Sequence, residues 1–207
     1  EFLKVPFVDW LSFSVEYEEK SFSWIESVFG ERTELEKGFN SYSNSFLTPL
    51  GAIVGYSPNR PANRIHVTMS SKTLFNLNGV ITLQELIRQI ISHKGKFSRI
   101  DLALDDYDGF LNLPLIVEKL KSFEVSTRFR GYIDLEVYNP QFLKLDSGSL
   151  FRYPKRQNSG QTVYIGDWHS DNFCRIYDKN KQTKSDYSFW NRVEFQLRHK
   201  VANEFCN

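Results

Sequence analysis

Residues 97–110, FSRIDLALDDYDGF, set Asp101, Asp105, Asp106 and Asp108 in a stretch that otherwise has the composition of a buried strand. Side chains along a strand alternate between two faces. Ile100, Leu102 and Leu104 fall on one face; Arg99, Asp101, Ala103 and Asp105 fall on the other. Neighbouring carboxylates on a sheet face repel, so this pattern demands a counter-charge. The same rule sorts RVEFQLR (192–198) into an apolar face of Val193, Phe195 and Leu197 and a face of Arg192, Glu194, Gln196 and Arg198. In TVYIG, Thr162 and Tyr164 oppose Val163 and Ile165. In CRIYDK, Arg175, Tyr177 and Lys179 oppose Cys174 and Ile176. If these strands share a sheet, the second face gathers Asp101, Asp105, Glu194, Gln196, Tyr164, Tyr177, Arg175 and Lys179. His66, in RIHVTMS, is its expected neighbour.

Two kinds of cation could neutralise such a face. An oxygen-rich cluster with one imidazole suits Mg²⁺ or Mn²⁺, giving Asp101, Asp105, Glu194 and His66 as candidate ligands. Alternatively, an antiparallel sheet leaves one face in water, and the acids are surface residues paired with Arg99, Arg192 and Lys179. Asp106 and Asp108 suit the turn before Gly109, where Asp is favoured. Taken singly, His66 and Tyr177 also have bland readings, as a structural histidine and a packing aromatic.

The elements that must position these residues follow from pattern. VPFVDWLSFSV (5–15) reads as a strand interrupted by Asp9, and SFSWIESVFG (21–30) as a short amphipathic helix ended by Gly30. Residues 38–56 hold short strand candidates, and YSPNRPANR (56–64) is a turn or loop. RIHVTMS (64–70) alternates. TLQELIRQIISHKG (82–95) carries one apolar stripe, with Thr82 and Glu85 as a capping box and Gly95 as the stop. NLPLIVEKLKSF (112–123) is a second helix, with Pro114 near its start. STRFRGYIDLEVY is a strand candidate. GQTVYIGDW and NFCRIYDKN form a hairpin pair, and WNRVEFQLRHKVANEF begins as a strand and turns helical near Arg198. The expected class is α+β: a mostly antiparallel central sheet, helices on one face, and an acidic and tyrosine site on the other.

Composition sets the outer bounds. The chain has 207 residues, 41% hydrophobic, 25% charged and 15% aromatic, which gives a globular protein with a bulky core. No apolar run is long enough to span a membrane, and no signal-peptide pattern opens the chain. Cys174 and Cys206 make neither a disulfide framework nor a four-cysteine metal site, and read as reduced intracellular thiols. Net charge is only +1, but residues 151–200 hold ten Lys/Arg against five Asp/Glu. That basic excess could track phosphates or be an ordinary solvated face. The opening "EF" without an initiator Met suits an excised domain.

Three blocks, RIDLALDDYDG, GQTVYIGDWHSDNFCRIYDKNKQ and WNRVEFQLRHKVANEF, occur in this order. Together they resemble rolling-circle replication initiators and relaxases of the Rep_trans type, which include plasmid and filamentous-phage initiators and relaxases of conjugative elements. DWLSFSV (9–15) is also similar to the opening of the phage members. The resemblance implies nicking of one DNA strand at an origin, by a tyrosine that becomes joined to the 5′ phosphate and leaves a free 3′-OH. It places the nucleophile at Tyr177 and metal-binding acids at Asp101 and Glu194. It leaves Asp105 or Asp106 open, and strand alternation favours Asp105. Arg175 and Lys179 would neutralise the phosphate, with Mg²⁺ or Mn²⁺ as the assisting ion.

His66, His93, His169 and His199 contain no His-x-His spacing, which separates the chain from nicking enzymes that use paired histidines. Arg152, Lys155 and Arg156, with Tyr138 and Tyr153 in the polar loop 139–160, and His169 in WHS could guide a single strand. A surface connection is the plainer reading of that loop. The implied partners are origin DNA, single-stranded or extruded, and a host helicase or polymerase; a homodimer is an admissible assembly. The implied compartment is the cytoplasm of a bacterial host. The expected organisation is a single catalytic domain over 1–207, with two similar α+β halves as one way of building it. No helix-turn-helix segment is evident. A non-catalytic origin-binding module and a metal nuclease using activated water are the competing functions.

Overall fold

Alternating stretches of the chain are extended, and stretches with apolar residues every three or four positions are helical. The computed structural model describes residues 5–59, 63–122, 124, 133–136, 162–167 and 169–207. The N-terminal elements are β1 (Phe7–Glu16), α1 (Glu19–Phe29), β2 (Thr33–Leu35), β3 (Asn44–Leu47), β4 (Ile53–Tyr56), β5 (Arg64–Ser70), α2 (Ser71–Leu77) and α3 (Leu83–Ser92). The C-terminal elements are β6 (Lys96–Asp106), α4 (Leu113–Lys121), β7 (Ile133–Glu136), β8 (Thr162–Ile165), β9 (Asn172–Asp178), α5 (Lys179–Thr183), β10 (Asn191–Arg198) and α6 (His199–Cys206). The class is α+β with an antiparallel sheet, as expected.

Local chemistry explains the helix starts. Thr82 Oγ1 accepts the Glu85 amide at 3.2 Å, and Asn112 Oδ1 accepts the Leu115 amide at 3.0 Å. Each satisfies an N–H that has no partner within its helix. Only half of the expected capping box forms, because the Glu85 carboxylate turns to Arg88 and Gln89. Two helices depart from the sequence reading. α2 continues directly from β5, with the Thr73 hydroxyl donating to the Gly51 carbonyl at 2.9 Å. α5 begins where β9 stops: Asp178 caps it by accepting the Lys181 amide at 2.9 Å. Lys179 is therefore the first residue of a helix, and the expected strand position on the Tyr177 face is corrected.

The hydrogen-bonded strand order is β2-β3-β4-β5-β1-β6 through the N-terminal strands and β6-β10-β9-β8-β7 through the C-terminal ones. β1/β5, β3/β4, β4/β5, β7/β8 and β8/β9 are antiparallel, with Phe13 opposite Val67 and Tyr164 opposite Arg175. Two compact units divide the chain: Val8–Asp101 with Leu197–Asn207, and Glu1–Phe7 with Leu102–Gln196. They are termed the N-terminal and C-terminal units.

In the N-terminal unit the core is built from Leu11, Phe13 and Val15 of β1, Ile65, Val67 and Met69 of β5, Ile25 and Phe29 of α1, and Leu86 and Ile90 of α3, all buried. Burying each such side chain contributes roughly 1.5–3 kcal/mol. Trp24 bridges α1 to α3 by donating to Gln89 Oε1 at 2.9 Å. The Asn203 carboxamide of α6 brackets Phe97, accepting from its amide at 2.9 Å and donating to its carbonyl at 2.6 Å. In the C-terminal unit, Val117 and Leu120 of α4 pack with Val163 of β8, flanked by Ile165 and Ile176. Among the described residues no helix is long and apolar enough to cross a membrane.

The faces of β6 and β10 differ from a solvated acidic surface. Asp101, Asp106, Arg192, Glu194 and Gln196 are buried, while Phe195, assigned to the hydrocarbon face, is exposed. A charged face can be covered only if its charges are paired, and the pairing defines the site.

Candidate active site

β9 and β10 carry the first cluster. Tyr177, near the end of β9, is 5% exposed, and Glu194, in the middle of β10, is 0% exposed. The Tyr177 hydroxyl donates to Glu194 Oε2 at 3.0 Å. Arg175, two residues before Tyr177, donates to Glu194 Oε1. Its guanidinium also lies 5.5 Å from the centre of the Tyr177 ring, and Lys179 Nζ lies 5.6 Å from it. Lys179 Nζ additionally donates to Gln182 Oε1 at 2.9 Å along α5. Burial raises the Tyr177 phenol well above its ordinary value, and the Glu194 charge adds to the rise. The charges of Arg175 and Arg192 oppose it. The tyrosine therefore rests protonated, with a carboxylate oxygen as the acceptor of its proton.

The second cluster joins β6 to β10. Arg192 grips Asp105 in a bidentate pair, Nε to Oδ1 at 2.6 Å and Nη2 to Oδ2 at 2.8 Å. Both side chains are nearly buried, a setting in which a bidentate guanidinium–carboxylate pair is strong. The next residue does something different. Asp106 accepts the amides of Asp108 at 3.2 Å and Leu111 at 2.6 Å, and so holds the turn expected there.

In the N-terminal unit, Asp101 is buried and receives Arg99 Nε at 2.8 Å and Nη2 at 2.5 Å. Arg99 also stacks 4.8 Å over the Trp10 ring. His66 Nε2 shares a 3.2 Å hydrogen bond with the Thr68 hydroxyl, and its ring stacks on Tyr42 at 5.7 Å. Burial lowers the imidazole pKa, which favours the neutral ring. Thr68 in turn accepts from Ser12, 3.3 Å away, and Ser12 accepts from Trp10 Nε1 at 2.8 Å.

The structure thus brings Tyr177, Glu194, Arg175 and Lys179 together, and Asp105 with Arg192. Tyr164, opposite Arg175 on β8, stacks on Phe173 at 5.7 Å. His169 is exposed in the β8–β9 turn, its amide donating to Asp167 Oδ1 at 2.8 Å. Arg152, Lys155, Arg156, Tyr138 and Tyr153 lie outside the described residues. Among the described residues no group of three or more His, Cys, Asp or Glu side chains is arranged to hold a metal ion. The oxygen donors nonetheless suit a hard cation in kind. Asp101, Asp105 and Glu194 each engage a guanidinium. Cys174 and Cys206 are free thiols, pushed up to about 12 and about 11 by burial, and carry no reactive thiolate.

Sequence reasoning gave Arg175 to a phosphate and missed that it also neutralises Glu194. It also passed over an aromatic run, Tyr187, Phe189 and Trp190, set among lysines in a polar loop, which was the available signal for a further surface.

A mixed α+β sheet that presents a protonated phenol to a buried carboxylate, ringed by cations, defines a class of site able to surrender a tyrosyl proton beside an anion. The comparisons with known proteins give the family. The family described as Replication initiation factor, Rep_trans, matches residues 95–207. A protein of Bacillus subtilis (strain 168) named "Putative DNA relaxase NicK" is 26% identical over 128 residues, 58% of this chain. The matched segment spans 33% of that relative's length. A solved structure of the rolling circle replication initiator protein from Geobacillus stearothermophilus superposes with a TM-score of 0.74 at 26% identity, covering 97% of this chain and 77% of that one. The chain belongs to the Rep_trans family of replication initiation factors.

Proposed function

We propose that this chain nicks and rejoins one strand of origin DNA through a covalent 5′-phosphotyrosine at Tyr177, assisted by a divalent metal. The observation that carries the reading is the 3.0 Å hydrogen bond from the Tyr177 hydroxyl to the buried carboxylate of Glu194. That distance is within the reach a general base needs.

The phenol proton passes to Glu194, and the phenolate oxygen attacks phosphorus. The P–O bond to the 3′ oxygen breaks, and that oxygen takes up a proton to become the free 3′-OH. The phosphoryl group stays on tyrosine, which conserves the bond for religation. Arg175 and Lys179, 5.5 Å and 5.6 Å from the Tyr177 ring centre, offset the charge of the reacting phosphate. Asp105 and Glu194, both in the C-terminal unit, would hold Mg²⁺ or Mn²⁺. The ion would polarise a phosphoryl oxygen. The substrate is single-stranded or extruded origin DNA. A host helicase or polymerase would use the freed 3′ end, in the bacterial cytoplasm.

The test incubates the protein with a randomised single-stranded oligonucleotide pool and Mn²⁺, then looks for a covalent adduct on a denaturing gel. The expected result is an adduct that Tyr177→Phe abolishes and Tyr164→Phe retains. Cleavage to free 5′-phosphate ends without an adduct would instead indicate a nuclease using activated water. Binding without cleavage would indicate an origin-binding module.

A further inference from the structure

Two loops of the C-terminal unit carry aromatic side chains that the proposed chemistry leaves unused. The turn after β6 supplies Tyr107 and Phe110, and the segment between α5 and β10 supplies Tyr187, Phe189 and Trp190. Tyr107, Tyr187 and Trp190 form one cluster, with ring centres 5.2 Å apart for Tyr107–Tyr187 and 5.5 Å for the other two pairs. The two loops meet so closely at Gly109, φ +76°, that an added Cβ would sit 3.4 Å from the Phe189 ring. Yet Phe110 is 79% exposed, Tyr187 and Phe189 each 56%, and Tyr107 45%. Exposed large apolar side chains gathered in one place mark an interaction site, whereas scattered ones do not.

The loops are fixed in place by polar anchors. The Asn180 amide donates to the Trp190 carbonyl at 3.0 Å, and its carboxamide donates to the Tyr187 carbonyl. Asn191 Nδ2 donates to the Leu111 carbonyl at 2.9 Å, and Asp106 holds the other side of the same turn. The rings are therefore presented in a settled arrangement, which lowers the ordering cost of binding. Charges of both signs surround the rings. Exposed Lys181 and Lys184 stand at α5, with Asp178 meeting Lys181 at 3.4 Å, and exposed Asp108 and Asp186 flank the aromatic residues. Arg192 lies 5.9 Å from the Trp190 ring and is the same residue that grips Asp105.

We infer that this surface is a stacking platform for unpaired nucleobases of a single DNA strand whose phosphodiester lies at Tyr177. Aromatic faces beside fixed cations match the two parts of such a strand, flat bases and charged phosphates. Duplex DNA hides its base faces and does not fit. α5 begins two residues after Tyr177, so the platform is continuous in chain with the proposed nucleophile. The inference rests on the reading under Proposed function and supplies its base-binding part.

The test measures binding of a fluorescein-labelled 20-nucleotide oligothymidylate in EDTA, where no cleavage enters. The Tyr187→Ala, Phe189→Ala double variant should bind at least about 10-fold more weakly. Tyr187→Phe with Phe189→Tyr should bind like the unaltered chain, since stacking survives. Phe110→Ala, at the most exposed ring, gives a second readout should the double variant fold poorly. An abasic strand of equal length should bind as weakly to the unaltered chain as the full strand does to the double variant. Unchanged affinity in the alanine variants, or equal binding of the abasic strand, would overturn the platform. So would loss of a dimer in sedimentation with DNA affinity intact, since the patch would then cover a second copy. Binding in EDTA is scored apart from adduct formation in Mn²⁺. A missing adduct with base-dependent binding would therefore sink the nicking reading and leave the platform standing.

Discussion

Two sets of elements can be set side by side. β1, α1 and the strands β2 to β5 are followed by α2 and α3; β6, α4 and the strands β7 to β10 are followed by α6, with α5 between β9 and β10. The return strand of each set lies beside its first strand, β5 beside β1 and β10 beside β6. Equivalent strands carry opposite chemistry on their inner polar positions. β5 and β1 join His66, Thr68, Ser12 and Trp10 in an uncharged hydrogen-bond chain. β9, β10 and β6 join Tyr177, Glu194, Arg175, Asp105 and Arg192. An uncharged chain is inexpensive to bury. Ion pairs carry a desolvation cost that similar-sized apolar residues would avoid. Retaining that cost around Tyr177 is the mark of a site with work to perform.

The sharpest break between the two regions is chemical. Tyr177→Phe should remove the covalent DNA adduct entirely, while Thr68→Val should leave its yield unchanged; denaturing gels read both. Next in size is stability. Glu194→Ala strips Arg175 and the Tyr177 hydroxyl of their common partner and should cost about 3 kcal/mol in urea unfolding. That is the lower end of the usual range, because Arg175 is 33% exposed. Thr68→Val, which interrupts the neutral chain, should cost only about 1 kcal/mol. Equal losses would erase the contrast.

The smallest effects separate the regions by pH. Burial depresses the His66 pKa below its ordinary 6.5, so the unfolded chain takes up that proton first. Its contribution is complete above about pH 6.5 and falls away as pH drops; His66→Gln should flatten that acid limb. Tyr177 is raised above its ordinary 10, so its contribution is complete below pH 10 and fades at higher pH. Tyr177→Phe should flatten the alkaline limb and leave the acid limb alone. Unfolding followed across pH by circular dichroism would show both.

Several parts of this molecule could be read without coordinates. The alternation of RIHVTMS put Ile65, Val67 and Met69 on the buried side, and Thr82 and Pro114 announced their helices. The shared face of Tyr177 and Arg175, and of Glu194 and Arg192, also followed from period two. Other parts could not be read. Lys179 looked like one more strand residue because nothing in CRIYDK signals that Asp178 will turn its carboxylate to the Lys181 amide. The acidic face looked solvated because burial depends on what covers it. The aromatic surface escaped notice because Tyr107 and Tyr187 are far apart in sequence and meet only in the fold.

The sequence alone determined which residues are extended, which are helical, and which side chains share a strand face, because those properties repeat over two to four positions. Only the tertiary structure decided which cation each carboxylate receives. Asp105 finds Arg192 across 87 positions and Glu194 finds Arg175 across 19. Electrostatic pairing depends on distance in space and on the exclusion of water, and neither is written in the local order of residues.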